Sequence, residues 1–308
     1  MAKKTIKKVL ITGSSGTIGT RLFEKLLEKG YEVIGFDKSP NKWHGNLNKL
    51  TIVGNLLDKN HIKKIPTDID LIIHLAANAR VYDLVVEPDL ALENIISTYN
   101  ILEFARQKNI NRIIFSSSRE TYGNRKVIKS KEKDVDINLC ESPYAASKIS
   151  DEVLIYSYSK CYRIDYIVLR FSNVYGMYDE SNRFVPVMIR KMAKNENIEI
   201  FGKDKLLDFT YIDDCVDGII KSVENFGKAK NNIFNIATGS GQKLIDVANF
   251  IKKNLKSKNK VAIKSSRKGE VVKYVADISK AKKMLAYKPK TSFQKAINLT
   301  INWYNKSR

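Results

Sequence analysis

Residues 6–19 read Ile6-Lys7-Lys8-Val9-Leu10-Ile11-Thr12-Gly13-Ser14-Ser15-Gly16-Thr17-Ile18-Gly19. Ile6 to Thr12 is an apolar run closed by glycine, as expected of a parallel strand covered on both faces. Thr17 to Lys29 then carries the apolar spacing of a helix. Glycines at such a strand-to-helix junction let backbone approach a pyrophosphate, and the exposed amides with the helix dipole favour its negative charge. Gly13, Ser15, Gly16, Thr17, Ile18 and Gly19 are therefore assigned to a dinucleotide. Asp37 ends the second strand, Tyr31–Phe36, about 20 residues on, where a carboxylate accepts bonds from the adenosine ribose and repels a 2′-phosphate. NAD is expected over NADP, with the neighbouring cation Lys38 weakening that preference. The alternative is a glycine turn that only packs a helix on a strand.

Working outward, short apolar segments alternate with helical ones. Leu50–Val53, Asp70–Leu75 and Arg112–Ser116 read as further strands, and the longest helix runs from about Pro88 to Lys108. This βαβα alternation predicts an α/β fold with a doubly wound parallel sheet of the Rossmann type. A helix from Tyr144 to about Cys161 and a strand Asp165–Phe171 continue it. The remainder is more mixed: helices at 184–194, 243–254, 279–285 and 292–304, a helix from Asp213, and strands at 198–201, 209–212 and 233–236. The division expected is a dinucleotide-binding lobe over 1–172, to which 208–238 return, and a smaller mixed α/β substrate lobe over 173–207 and 239–308.

Composition narrows the function classes. The 308 residues suffice for a sizeable core, and 43% are hydrophobic against 28% charged. No stretch reaches the 18 or so apolar residues of a membrane span, and the basic start leads straight into a strand without a cleavage site. No membrane partner is expected, and the cytoplasm is the default compartment. Cys140, Cys161 and Cys215 lack CxxC spacing and read as reduced thiols. His44, His61 and His74 lack ligand spacing, so no metal is expected. The net charge of +21 comes from 54 basic and 33 acidic residues. Its lysines are dispersed, and the densest stretch, 252–268, has no aromatic residue to stack on a base. Nucleic acid is therefore not expected as a partner, and an anionic small substrate is.

Tyr144-Ala145-Ala146-Ser147-Lys148 follows, downstream of Ser116-Ser117-Ser118. Tyrosine and lysine four apart share one helix face. Making a phenol of pKa about 10 into a base near pH 7 requires roughly 4 kcal/mol. An ammonium about 5 Å away supplies roughly 3 kcal/mol at an effective dielectric of about 20. Lys148 is thus expected to lower the Tyr144 pKa. His74, ending a strand, reads as a structural histidine.

With the glycine turn, serine triplet and Tyr-Lys pair in this order, the chain resembles the extended short-chain dehydrogenase/reductase family. Within it, the chain looks most like the nucleotide-sugar epimerases and dehydratases, the UDP-glucose 4-epimerases above all. His74-Leu75-Ala76-Ala77, Asn94, Arg170-Phe171-Ser172-Asn173-Val174-Tyr175-Gly176, Asp208–Asp214 and Arg267-Lys268-Gly269-Glu270 extend the likeness over nearly the whole chain. The resemblance implies that Tyr144 is the base, Lys148 its activator and ribose anchor, and Ser118 the hydroxyl that bonds the reacting sugar oxygen. It places Asn55 and Leu56 by the adenine, with Asn55 where the family has aspartate. Leu75, Ala76, Ala77, Asn94 and Ser116 go with the cofactor, and Phe171 goes beside the nicotinamide. Asn173, Arg183, Phe201 and Arg267 fall where the family holds the nucleotide diphosphate, and a homodimer is implied. Leu207 stands where the family usually has a phosphate-gripping arginine, so Arg183 and Arg267 must carry more of that load.

The implied reaction is NAD-dependent 4-epimerisation of a nucleotide-diphosphate sugar through a transient 4-keto form. In the related 4,6-dehydratases an Asp-Glu pair follows the Ser/Thr, and here those positions are Arg119 and Glu120. Arginine cannot act as the acid, which argues against dehydration, although Glu120 leaves it open. Tyr274 matches a bulky residue that narrows the pocket against N-acetyl groups, implying UDP-glucose and UDP-galactose, unless it is an ordinary edge-strand aromatic. The rivals are a nucleotide-sugar dehydratase or reductase, and a non-catalytic NAD-binding protein.

Overall fold

The structure is a computed structural model that describes residues 5–306. Seven strands form its main sheet, all parallel: β1 (Lys8–Thr12), β2 (Glu32–Asp37), β3 (Thr51–Val53), β4 (Leu71–His74), β5 (Arg112–Ser118), β6 (Asp165–Phe171) and β7 (Asn232–Ile236). Their order is β3-β2-β1-β4-β5-β6-β7. The chain winds outward from β1 to β3, then crosses back to β4 on the other side of β1. Such a reversal opens a crevice at the carboxyl ends of the two strands.

Alternation along β1 explains why the sheet is covered twice. Val9 and Ile11 pack in one apolar cluster with Leu22, Phe23 and Leu26 of helix α1 (Thr17–Glu28). Leu10 points into a second cluster with Ile101, Leu102 and Ala105 of α2 (Asp89–Gln107) and Ile155 of α3 (Pro143–Tyr162). Helix α4 (Ile212–Glu224) adds Ile219 and Val223 to the first cluster. With both faces buried, a polar side chain enters only where it is paired, as Thr12 is with His74 at 2.6 Å, hence the apolar run in the sequence.

The smaller lobe is built on strand 206–211, which pairs antiparallel with 241–243 and parallel with 273–276. Strand 173–175 lies along its other end, and 129–130 extends the sheet beyond 273–276. A separate pair, 198–201 with 261–264, is parallel. Residues 208–211 thus belong to the small sheet, and the return expected from 208 begins with α4 at Ile212. The cause is visible at Asp208. Its buried carboxylate accepts the amides of Thr238 at 3.0 Å and Gly239 at 2.8 Å beyond β7, and of Ala276 at 3.3 Å in the small sheet. One side chain therefore fastens both sheets together. Among the described residues no helix is long and apolar enough to cross a membrane.

Candidate active site

The crevice beside β1 continues into a cavity of about 710 Å³ that runs from the glycine turn to the small lobe. At its first end Gly13 has φ +72°, which L side chains rarely adopt, and a Cβ there would lie 2.8 Å from the Ala76 amide nitrogen. On Gly19 a Cβ would lie 2.0 Å from the Gly13 carbonyl oxygen. The turn is therefore closed by backbone contacts that only glycine permits. Gly13, Gly16, Thr17, Ile18 and Gly19 line the cavity, as do Leu75, Ala76, Ala77 and Ser116 from the ends of β4 and β5.

Other residues assigned to the cofactor do not line the cavity itself. Asp37 Oδ2 accepts the Ser15 amide at 2.9 Å, binding the turn to the end of β2, while Oδ1 accepts that of Ser39 at 3.1 Å. Burial raises the Asp37 pKa against the pull of these amides. The Ser15 hydroxyl donates to the Ser39 carbonyl at 2.8 Å, and Lys38 is exposed. Asn55 Oδ1 accepts the Leu57 amide at 3.0 Å, and the Leu56 side chain is buried in the core. Asn94 does not line the cavity. It is 2% exposed, accepts the Asn78 amide at 2.7 Å and donates to the Asn78 carbonyl at 3.0 Å. It braces the loop after β4, as the carboxamide's paired donor and acceptor suit it to do.

In the middle of the cavity α3 presents Tyr144 and Lys148 toward Ser118 at the end of β5. Ser142 caps α3, its hydroxyl accepting the Ala145 amide at 3.2 Å, and Pro143 sets the first turn, so Tyr144 enters the site from a fixed backbone. Ser118 Oγ accepts the Glu120 amide at 3.2 Å and also pairs with the Tyr144 hydroxyl. The structure corrects one expectation here. Burial pushes the Tyr144 phenol up to about 12, and Lys148 is not among the groups acting most strongly on it. The Lys148 ammonium points instead at Asp151, with Nζ 3.8 Å from Oδ2 and 4.6 Å from the Phe115 ring centre. The lysine thus shares the helix face with the phenol while its ammonium is drawn toward Asp151.

At the far end Asn173, Arg183, Phe201 and Arg267 line the cavity together, and Leu207 occupies its wall. Phe171 lies between the two ends. The Arg267 guanidinium sits 4.0 Å from the Phe201 ring centre and 4.8 Å from that of Tyr82, a clamp that fixes a long side chain by stacking. Arg183 is steered by Asp179 at 3.2 Å and Ser181 at 3.0 Å. Asn173 donates to the Asp208 carbonyl at 2.9 Å. Sequence reasoning missed Tyr82, Arg80 and Lys205, which also line this end. Lys205 pairs with Glu270, the last residue of the Arg267-Lys268-Gly269-Glu270 motif.

Tyr274 is not brought to the site. It is 1% exposed, stacked 5.6 Å from Tyr122, and separated from the cavity by Arg119, whose guanidinium lies 5.8 Å from its ring centre. Although paired in register with Leu207, it packs in the apolar cluster and does not line the cavity. Arg119 and Glu120 form a buried ion pair at 2.7 Å that does line the cavity, and burial pushes the Glu120 carboxyl up.

Residues 9–237, the whole span from β1 to the end of β7, match the NAD dependent epimerase/dehydratase family. The chain belongs to that family. Among relatives, a UDP-glucuronate 4-epimerase of Thermodesulfobacterium geofontis is 30% identical over 96% of this chain and 95% of its own. Among solved structures, a Thermotoga maritima UDP-glucose 4-epimerase with UDP-glucose has a TM-score of 0.90 at 32% identity, covering 97% of this chain and 99% of that one. A Methanobrevibacter ruminantium UDP-N-acetylglucosamine 4-epimerase, solved with UDP-N-acetylmuramic acid, has a TM-score of 0.87 at 29% identity over 99% and 100%. This NAD-dependent epimerase family member thus has relatives named for three different sugars. The glycine cradle fits the cofactor: glycine keeps side chains out of the turn, and the first-turn amides of α1, Thr17 to Gly19, have no intrahelical carbonyl to bond.

Proposed function

We propose that this chain interconverts the carbon-4 epimers of a UDP-hexose, with UDP-glucose and UDP-galactose as the first pair to test. The observation that carries the reading is the Tyr144–Ser118 pair midway between a glycine cradle and an arginine-lined end of one cavity. The turn at Gly13–Gly19, with Asp37 at the ribose, would hold NAD, which would supply reversible hydride transfer at sugar carbon 4. Ser118 holds the 4-hydroxyl, and Tyr144 as phenolate takes its proton and later returns it. Lys148 holds positive charge within reach of that phenolate, which offsets the cost of ionising a buried phenol. Arg183 and Arg267 hold the diphosphate where Leu207 cannot. The neutral-hexose preference cannot rest on Tyr274, which stands outside the cavity; similarity to the Thermotoga enzyme supports it instead.

Incubation with UDP-, dTDP- and GDP-sugars tests the reading: a product of unchanged mass with inverted carbon 4 is expected. Loss of water would move the assignment to a 4,6-dehydratase. That second reading draws on the buried Glu120, whose raised pKa suits an acid, but its partner Arg119 has no proton to give. We also propose that two copies pair through α2 and α3. Leu92, Ile96 and Tyr99 are exposed along one face of α2, and Val153 is exposed on α3. Light scattering at micromolar concentration, reading one chain mass or two, decides it.

A further inference from the structure

Lys148 and Asp151 lie three residues apart on α3 and are 2% and 0% exposed. A lysine so buried is driven toward its neutral amine by loss of solvent, and a neutral amine gives the phenolate no help. Two acids oppose that drive, Asp151 and Glu152. Glu152 is fully engaged elsewhere. It accepts Arg170 Nε at 2.9 Å and Nη2 at 2.6 Å, the Ser117 hydroxyl at 2.6 Å and the Tyr156 hydroxyl at 3.2 Å. Its charge is matched by Arg170 before Lys148 is counted.

Asp151 is placed differently. Neither carboxylate oxygen has a hydrogen-bond partner of good geometry; burial pushes the carboxyl up to about 7, opposed first by the Lys148 ammonium, with Nζ at 3.8 Å, and then by the Thr98 hydroxyl of α2, which leans on it. Behind Thr98, His74 of β4 is held between hydroxyls, Nε2 to Thr98 at 3.2 Å and Nδ1 to Thr12 at 2.6 Å. Burial pushes that imidazole down to about 3, so it is neutral and brings no charge. On β5 the ammonium meets the Phe115 ring at 4.6 Å. The groups around the pair are thus Glu152, already balanced by Arg170, a neutral histidine, a hydroxyl and an aromatic ring.

We propose that Asp151 is the counter-ion of Lys148, a positioning residue that keeps the buried amine charged and holds it near Tyr144 without occupying it. The inference rests on the reading of Tyr144 and Lys148 as the working pair. A carboxylate with no competing hydrogen bonds attracts the ammonium by charge while leaving its protons free to turn toward another acceptor. In the Asn variant the ammonium loses its balancing charge, so the amine deprotonates at lower pH, and activity that needs a charged Lys148 fails on the alkaline side first.

The test follows the Lys148 13Cε resonance with pH by NMR, assigned through its absence in Lys148→Met. In the unaltered protein Lys148 is expected to be charged at pH 7. In Asp151→Asn its midpoint should fall by at least a tenfold change in proton affinity, with the alkaline limb of kcat moving the same way and KM for the sugar within twofold. Asp151→Glu should restore both. A midpoint unchanged in Asp151→Asn, or a kcat lowered equally at every pH, overturns the proposal. Should Asp151→Asn not fold, the unaltered protein still decides, because a Lys148 neutral at pH 7 needs no counter-ion. The titration is read without turnover, so failure of the epimerase reading leaves it intact.

Discussion

The two ends of the cavity offer binding groups of opposite kinds. At the glycine turn they are the first-turn main-chain amides of α1, Thr17 to Gly19, in a turn closed by contacts as tight as 2.0 Å for any added Cβ on Gly19. At the small lobe they are long side chains, Arg183, Lys205 and Arg267, brought from three separate segments and steered by partners such as Asp179, Glu270 and Phe201. The first end can hardly be varied, because its geometry is the backbone. The second can be varied one residue at a time, as Leu207 in place of an arginine illustrates, and relatives named for glucose, glucuronate and N-acetylglucosamine fit that freedom.

The sharpest way to break this comparison is at the seam between the ends. Tyr144→Phe keeps the ring packed against Leu84 and Ala91 and removes only the hydroxyl that meets Ser118. We expect kcat for UDP-glucose to fall by about 10²- to 10⁴-fold, the range for losing a general base. NAD recovered from denatured protein should stay at the unaltered level. Residual activity near that of the unaltered protein would remove Tyr144 from the chemistry.

Next in size is Gly19→Ala. A methyl 2.0 Å from a carbonyl oxygen forces the turn open, and we expect NAD affinity to drop by about 100-fold, roughly 3 kcal/mol. UDP affinity, measured by calorimetry, should change by less than about twofold if the ends are independent. Equal losses of both ligands would show that the turn supports the far end as well. Arg267→Met tests the other end. It removes one charged donor while keeping an apolar stem between Phe201 and Tyr82, so KM should rise by about tenfold or more with kcat unchanged. Arg267→Lys should not restore it, since an ammonium does not stack as a guanidinium does.

How much of this was legible follows the same division. The glycine turn, the strands that carry it and the Tyr-Lys spacing are local patterns, and each could be placed from sequence alone. Asp37 was placed at the end of β2, but not its bonds to the turn, because those depend on how residues 15 and 39 fold back on it. Tyr82 stacking on Arg267 joins positions 185 apart, and nothing local announces it. The expected effect of Lys148 on Tyr144 missed Asp151, whose carboxylate draws the ammonium from the same helix face. The return expected at 208 falls inside strand 206–211, whose sheet is set by pairing with 241–243 and 273–276, segments distant in sequence that no local pattern announces.

Tyr274 carries the smallest expected effect and separates sequence likeness from geometry most cleanly. Its hydroxyl is buried with no hydrogen-bond partner, its ring stacks on Tyr122, and Arg119 lies between it and the cavity. A buried unpaired donor costs about 1–3 kcal/mol, so Tyr274→Phe should leave the fold as stable or raise its unfolding free energy by about 1 kcal/mol in urea. The ratio of kcat/KM for UDP-glucose over UDP-N-acetylglucosamine should stay within about twofold, since the wall facing the sugar is unaltered. A larger change in that ratio would mean that this ring, one layer back, still shapes the pocket through Arg119, and the boundary drawn between the adjustable wall and the core behind it would have to move outward.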